Sequence, residues 1–564
     1  MATPTASTFV PPSPGSWELE RVHLTRPISG FGAPIFPVAM PRGFAESLRN
    51  YGALLETFEL AIINRFVYMC PRPVGAPKTA KGVPPRPVFA VLRRVHPEIR
   101  KRIKRAETVF RDRIWRDELK WWDEEVKPGL LAEARTLRQE RIAEMSAADL
   151  AAHVRRAAAF LDRANTAHHR FNMCAMVPLG DFLAHTVTWT GMDPGEILQV
   201  FRGRSAPSAG AVAELSALRQ ALAADADARA LLESTRPAAA ILDTLEARTD
   251  AVGAAVRAYL DEVGLRCMGG YDVAERHARE VPELLVSVMR TALTEGRESD
   301  HRQAAERATT AVRARVPAAH QATFDELLHE AQLTYRVRDE RNFFGDSLAT
   351  GLARRAILEA GRRLAAAGRV ADAEHLIDAT ADEIVALLEG KGPSAAELAE
   401  RTRYRNETPI DSAPARLGFP PSAPPPADWL PPAAARLQRA IDAALGLMFA
   451  AKEHQASAKQ LKGFAASPGV YEGPARVVRD ASELPSVRSG DVLVTGSTAP
   501  TFNVVLPLIG AIVTERGGAL SHAAIVAREY GLPAVVGCAG AMKAVRTGQQ
   551  VRVDGGNGTV SILE

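Results

Sequence analysis

One stretch of this 564-residue chain combines the residue types and spacing that covalent chemistry needs: TERGGALSHAAIVAREYGLPAVVG, Thr514–Gly537. His522 is the side chain in it placed for nucleophilic attack. The pattern reads strand, glycine loop, helix, turn, strand. Ser521 has the hydroxyl of an N-cap, accepting from first-turn amides. Leu520 and Ile525 are spaced as a hydrophobic staple. Gly531 suits the left-handed residue that ends a helix, and Pro533 prevents continuation. His522 therefore falls at the first helical position. There the free amides and the macrodipole favour negative charge. They lower the basicity of the imidazole, keep it neutral as a nucleophile, and stabilise a phosphoryl anion carried on the ring. Gly517 and Gly518 leave space for a phosphate to approach the backbone.

The elements around this helix are legible. From Gly463 onward, short β-branched runs alternate with Gly and Pro turns: VYEGPARVV, GDVLVTG, IGAIVTE, PAVVG, QQVRVDG and GTVSIL. These predict strands, with a few helices between them. Upstream the pattern is helical. Ser146 reads as an N-cap, followed by Leu150, Val154, Ala158 and Leu161 on one face; a second stripe runs through Leu348, Leu352, Ile357 and Leu364. The proline cluster Arg416–Pro432 predicts a semi-rigid linker or an extended crossing segment, and a short helix follows it. The expected organisation is an extended arm over 1–40, a helical domain over 41–410, a Pro-rich linker with a short helix over 411–462, and a compact strand-rich domain over 463–564.

Composition bounds the rest. The chain is 46% hydrophobic and 24% charged with a net charge of +4, an ordinary globular balance that gives no reason to expect nucleic acid or membrane. Arg93–Arg113 is basic and is followed by Trp115, Trp121 and Trp122, but the acidic DEEV beyond favours an exposed amphipathic helix. The four cysteines form no CxxC pair, so no metal site is expected and a cytoplasmic setting is. The N-terminus has no signal-peptide pattern.

The Thr514–Gly537 segment resembles the phosphohistidine signature of the phosphoenolpyruvate-utilising enzymes, which include pyruvate phosphate dikinase, phosphoenolpyruvate synthase and the rifampin phosphotransferases. ASPGVYEGPARVV, GDVLVTGSTAPTF and GQQVRVDGGNGTVSIL resemble the strands of the same mobile domain. The resemblance implies a fold of class α + α/β: a large helical substrate-binding domain followed by a small swivelling β/β/α phosphohistidine domain. Dikinases carry a regulated Thr two residues before the His; Leu520 stands there, closer to the rifampin phosphotransferase branch. With the last hairpin closing at Glu564, no TIM barrel of about 200 residues or more is expected in this chain, and phosphoenolpyruvate or pyruvate is not the expected substrate. No Walker-type loop or ATP-grasp pattern precedes the helical region, so the expected donor is ATP with Mg²⁺ on an ATP-grasp subunit in trans.

The helical region resembles, more weakly, the substrate-binding domain of rifampin phosphotransferases. The carrying pieces are SWELERVHLTRPIS, INRFVY, WRDELKWWDEEVKPGLLAE, EVGLRCMGGYDVAE and YRVRDERNFFGD. On this resemblance Arg266 and Asp272 lie in a substrate loop. Arg338 and Asp339 lie near the transfer site; Arg266 and Arg338 are the groups expected to stabilise phosphate charge, and Asp339 acts as the base or orients it. The family commonly has Glu at Asp339 and His at Leu265. Arg338, Asp339, Arg341 and Asp346 at helical spacing also fit surface ion pairs. His168 and His169 fit a base and a substrate ligand, or solvated or core histidines. The implied function is a phosphotransferase component. It carries the β-phosphoryl of ATP on His522 to the hydroxyl of a small organic acceptor, with AMP and phosphate left behind. The alternative is a non-catalytic binding or regulatory protein that bears phosphohistidine.

Overall fold

The computed structural model describes residues 8–563 apart from 22, 205–211, 268–270, 295–300, 450–459, 480, 499–501 and 503–504. The expected glycine loop at 268–270 and part of the expected linker (450–459) lie outside the described residues. The chain divides into two compact units: 1–178 with 271–274 and 341–441, and 179–270 with 275–340 and 442–564.

The first unit is mainly helical but contains a four-stranded antiparallel sheet that the helical reading did not foresee. Its strands are β1 (Ser16–Leu19), β2 (Leu55–Ile63), β3 (Phe66–Pro73) and β4 (Arg416–Gly418), ordered β2-β3-β1-β4. The N-terminal segment is thus not only an arm, since β1 pairs with β3 and β4. The physical reason lies in β2 and β3. ETFELAII and FVYMC are rich in β-branched and aromatic residues, and Asn64 and Arg65 between them take positive φ in a tight hairpin. The proline-rich stretch is a crossing segment. It contributes β4, and the backbone carbonyl of Trp429 accepts from Arg93 at 3.0 Å. Helix Phe36–Tyr51 packs on β2, helix Ala147–Arg170 packs on that helix, and Leu348–Ala366 packs on Ala147–Arg170. The second of these is capped by Ser146 as the sequence predicts.

The second unit combines the helices between Leu179 and Glu340 with an eight-stranded sheet. Strands β5 (Gln460–Lys462), β6 (Phe464–Ser467), β7 (Val470–Val478), β8 (Val492–Thr495), β9 (Ala511–Thr514), β10 (Ala534–Val536), β11 (Gln550–Asp554) and β12 (Thr559–Ile562) are ordered β5-β12-β11-β7-β8-β9-β10-β6. The inner four, β7 to β10, run parallel, and the flanking pairs are antiparallel. Side chains alternate across the sheet as period two requires. Val492, Val494, Ala511 and Val513 join one core; Leu493 and Ile512 join another with Ala523, Ala524, Val526 and Ala527 of helix His522–Tyr530. Both faces are covered, which is why the parallel strands read as continuous apolar runs.

Two glycines give a paired prediction. A Cβ on Gly510 would lie 2.0 Å from the Tyr471 ring, which is anchored by its hydroxyl donating to the Gly490 carbonyl at 2.9 Å. Gly510→Ala should therefore cost about 1–3 kcal/mol by overpacking. Gly129, exposed in helix Lys127–Gln139 with nothing within 4 Å of its Cβ position, should gain up to about 1 kcal/mol on Gly129→Ala. Thermal unfolding of the two variants should move in opposite directions.

Candidate functional site

His522 opens the helix that follows β9, and Thr498 follows the adjacent parallel strand β8. In parallel α/β sheets, ligand chemistry collects at the carboxyl ends of such strands. The register Thr495↔Thr514 ends the two strands level, and Thr498 Oγ1 comes to 3.0 Å from His522 Nδ1. In the reactive tautomer Nδ1–H donates to that hydroxyl and the lone pair is on Nε2. Nε2 is covered and has no hydrogen-bond partner among the described residues. Burial, with the positive charge of Arg338 second, holds the ring down at about 3, so it is neutral at physiological pH.

The loop before His522 is pinned at several points. Ser521 caps the helix by accepting from the Ala524 N–H at 3.4 Å, and Gly531 closes it at φ 65°. The Gly518 and Leu520 N–H groups donate to the carbonyls of Met448 and Leu447. Arg528, 1% exposed, donates at 3.0 Å to the carbonyls of Ala466 and Ala519, tying the helix, β6 and this loop together. Gly517 has φ 104°, and a Cβ there would meet the Ser521 Cβ at 2.8 Å. The turn itself therefore requires the glycine.

The remaining sequence-selected residues fall into two groups. Arg338 and Asp339 belong to the unit of His522 and are buried, at 9% and 6% exposure. With Arg528 and Glu529 they form the electrostatic surroundings of Tyr335, whose hydroxyl is pushed up by burial. A solvated ion-pair face is not what they form. Arg266 is in the same unit but pairs with Glu262 and lies near Tyr259 and Tyr530, the last residue of the nine-residue helix that His522 begins. The structure places it at the far end of that helix from His522.

His168, His169 and Asp272 belong to the other unit. His168 Nδ1 lies 2.6 Å from Asp346 Oδ2, and Asn165 donates to the other carboxylate oxygen at 3.2 Å. The π-helical turn Phe343–Ser347 carries Asp346. Burial raises Asp346 to about 6 and drives both histidines well below the usual imidazole range. His169 stacks on Phe44 with ring centroids 4.7 Å apart, allowed by the close approach at Gly43, where a Cβ would meet the Thr166 carbonyl at 2.4 Å. Asp272 accepts from the Ser29 N–H at 2.6 Å.

Sequence reasoning missed Thr498, which lay inside the quoted GSTAPTF without an assigned role. It also missed Arg528, whose burial only the fold reveals. No group of three or more His, Cys, Asp or Glu is placed to hold a metal among the described residues. No helix among them is long and apolar enough to cross a membrane.

Comparison with known proteins agrees with this geometry. Residues 487–558 match the model of the PEP-utilising enzyme, mobile domain, and residues 172–357 that of the rifampicin phosphotransferase fourth domain. An uncharacterized phosphotransferase, YvkC, of Bacillus subtilis is 31% identical over 241 residues, 43% of this chain and 27% of that protein. A rifampicin phosphotransferase of a Streptomyces species is 31% identical over 339 residues, 55% of this chain and 34% of its own length. A probable phosphoenolpyruvate synthase of Pyrococcus abyssi is 51% identical over 100 residues, 18% of this chain and 12% of its own. The chain thus spans about a third or less of each of these relatives.

Two outcomes follow from the site. Thr498→Val should release the His522 ring from its single tautomer, read as a change in its ring-nitrogen NMR shifts, and Thr498→Ser should restore them. Because His522 titrates near 3 in the folded chain against 6.5 ordinarily, the unfolded chain binds its proton first. Its contribution to stability should therefore fall as pH drops from about 6.5 towards 3. Acid titration of unfolding should show a shallower loss in His522→Asn than in the wild type.

Proposed function

We propose that His522 is a phosphoryl carrier between ATP, bound on an ATP-grasp unit outside these 564 residues, and the hydroxyl of a small organic acceptor held by the helical region. The observation that carries this reading is a neutral imidazole at the ends of two parallel strands. One of its nitrogens is held by Thr498 and the other is left open, inside the segment that matches a mobile phosphotransfer domain. Relatives named phosphotransferases support phosphoryl transfer as the reaction class.

In the first step Nε2 attacks the β-phosphorus of ATP in line, an N–P bond forms as the bond to AMP breaks, and water then cleaves the bond to the γ-phosphoryl, so that AMP and phosphate leave and the β-phosphoryl stays on the ring. In the second step an acceptor hydroxyl attacks the same phosphorus, the N–P bond breaks, and its electron pair returns to Nε2. The charge of Arg338 acts on the reacting ring, and Arg338 is the group we assign to the phosphoryl charge. Asp339, buried at 6% exposure in the same unit, is the group we assign as the base or as the group that orients it. Mg²⁺ accompanies ATP on the donor unit and screens the triphosphate charge there. A domain that swings between donor and acceptor is the simplest way to serve both.

The isolated chain should take no label from Mg·ATP, whereas the chain with its ATP-grasp unit should take acid-labile label on His522. In that complete system His522→Ala should reduce product formation to background. Full turnover by His522→Ala removes the carrier role, and rapid labelling of the isolated chain removes the external donor.

A further inference from the structure

Among the described residues of 460–563, two buried side-chain polar atoms have no hydrogen-bond partner, and they sit at the two ends of one loop. One is Nε2 of His522 and the other is Nε of Arg516. Buried polar groups are nearly always bonded, so an orphan of this kind asks for a ligand. The orphan atom of His522 is the proposed point of phosphoryl attachment. The orphan atom of Arg516 has no part in the relay described above.

Arg516 follows β9, and its backbone continues the parallel ladder past the strand. The Glu515 N–H donates to the Thr495 carbonyl and the Arg516 N–H to the Gly496 carbonyl, both at 2.9 Å. The Thr514 hydroxyl donates to the Arg516 carbonyl at 2.8 Å. The backbone under the side chain is therefore fixed. The guanidinium crosses Gly496, where a Cβ would lie 3.2 Å from Arg516 Nη2. Further along the same segment, Thr498 Oγ1 lies 3.0 Å from His522 Nδ1. The two residues from Gly496 to Thr498 span at most about 7 Å. The guanidinium is thus anchored beside the segment that holds the carrier ring, within the same compact unit.

Other arginines of this domain have protein partners. Arg476 pairs with Asp491 at 2.9 Å, Arg552 pairs with Glu472 at 3.0 Å, and Arg528 donates to the carbonyls of Ala466 and Ala519. Arg516 is half-buried, and no ion pair or hydrogen bond holds its side chain among the described residues. A guanidinium has five N–H donors and no acceptor, so an oxygen-bearing partner is what satisfies it. Its planar fork fits phosphate oxygens. Partly out of water and unpaired, it carries a free-energy cost that binding an anion removes.

Resting on the carrier reading above, we infer that Arg516 is an anion-binding residue of the carrier site, its guanidinium donating to a phosphate oxygen. That phosphate is either the phosphoryl borne on His522 Nε2 or the terminal phosphate of the polyphosphate that delivers it. No bond to Arg516 forms or breaks; it neutralises charge while phosphorus moves. Its place is set by the same loop that ends in His522, so the anion site and the nucleophile travel together.

The test uses the full chain with isotope-labelled arginine and needs no ATP-grasp unit. The Nε–H resonance of Arg516 is identified by its loss in Arg516→Lys. One arm charges His522 with phosphoramidate, a small phosphoryl donor; the other adds inorganic pyrophosphate. A shift of the Arg516 resonance on charging assigns the carried phosphoryl, and a shift with pyrophosphate assigns the polyphosphate. A resonance that moves in neither arm overturns the inference. In the arm that responds, Arg516→Met should weaken the interaction. The readout is about a tenfold loss of pyrophosphate affinity, the scale of one charge-assisted hydrogen bond, or a higher phosphorus NMR titration midpoint of the phosphoryl group, because losing a cation disfavours the dianion. Arg552→Gln removes a charge from the same domain and should change neither; an equal effect there overturns the site as general electrostatics. In anion-free buffer Arg516→Met should unfold no earlier than the wild type, since its donor has no partner to lose. A destabilised Arg516→Met chain gives the guanidinium a structural role and also overturns the inference. A wild type that takes no phosphoryl from phosphoramidate counts against the carrier role instead, and the pyrophosphate arm still decides Arg516.

Discussion

Everything at the carrier site depends on how the backbone before His522 is held. β8 and β9 end level, so their two loops deliver Thr498 and His522 to the same place. The loop on the His522 side would be loose if its carbonyls and amides had only water to bond. Instead Arg528 reaches back from the last turn of the same helix to the carbonyl of Ala519, and two further carbonyls, Leu447 and Met448, take the amides of Leu520 and Gly518. A buried arginine is costly to desolvate and is tolerated where its donors are satisfied. Here both satisfied carbonyls are the ones that set the height of the histidine against the sheet.

With the loop fixed, the chemistry of the ring follows from burial and charge. An exposed imidazole is protonated for part of the physiological range and then has no lone pair to offer. Covering the ring and setting a guanidinium near it removes that proton. The same guanidinium that disfavours imidazolium would favour a phosphoryl dianion, so the proposed role of Arg338 suits both states of the proposed carrier.

The strand-rich C-terminal domain was largely legible because its local signals agree with one another. β7 coincides with VYEGPARVV, and the cap, helix and left-handed Gly531 fall where Ser521, His522 and Pro533 place them. The N-terminal sheet was not legible as a whole, because β1 pairs with β3 at Glu18↔Met69 and with β4 at Ser16↔Gly418, distant in sequence, and β1 and β4 are too short to show a period. The site was legible at His522 and much less so elsewhere. Arg266 carries a charge in a suggestive loop, yet the fold takes it to Tyr530. Thr498 carries no charge and no motif, and only the parallel pairing of β8 and β9 gives it a role.

The most direct test of the carrier role is a rapid-quench time course of labelled phosphoryl through the complete system, with peptide mapping at each point. The account predicts acid-labile label on residue 522 that rises before product and decays at the rate at which product forms. Label that reaches product without passing through residue 522 would contradict it.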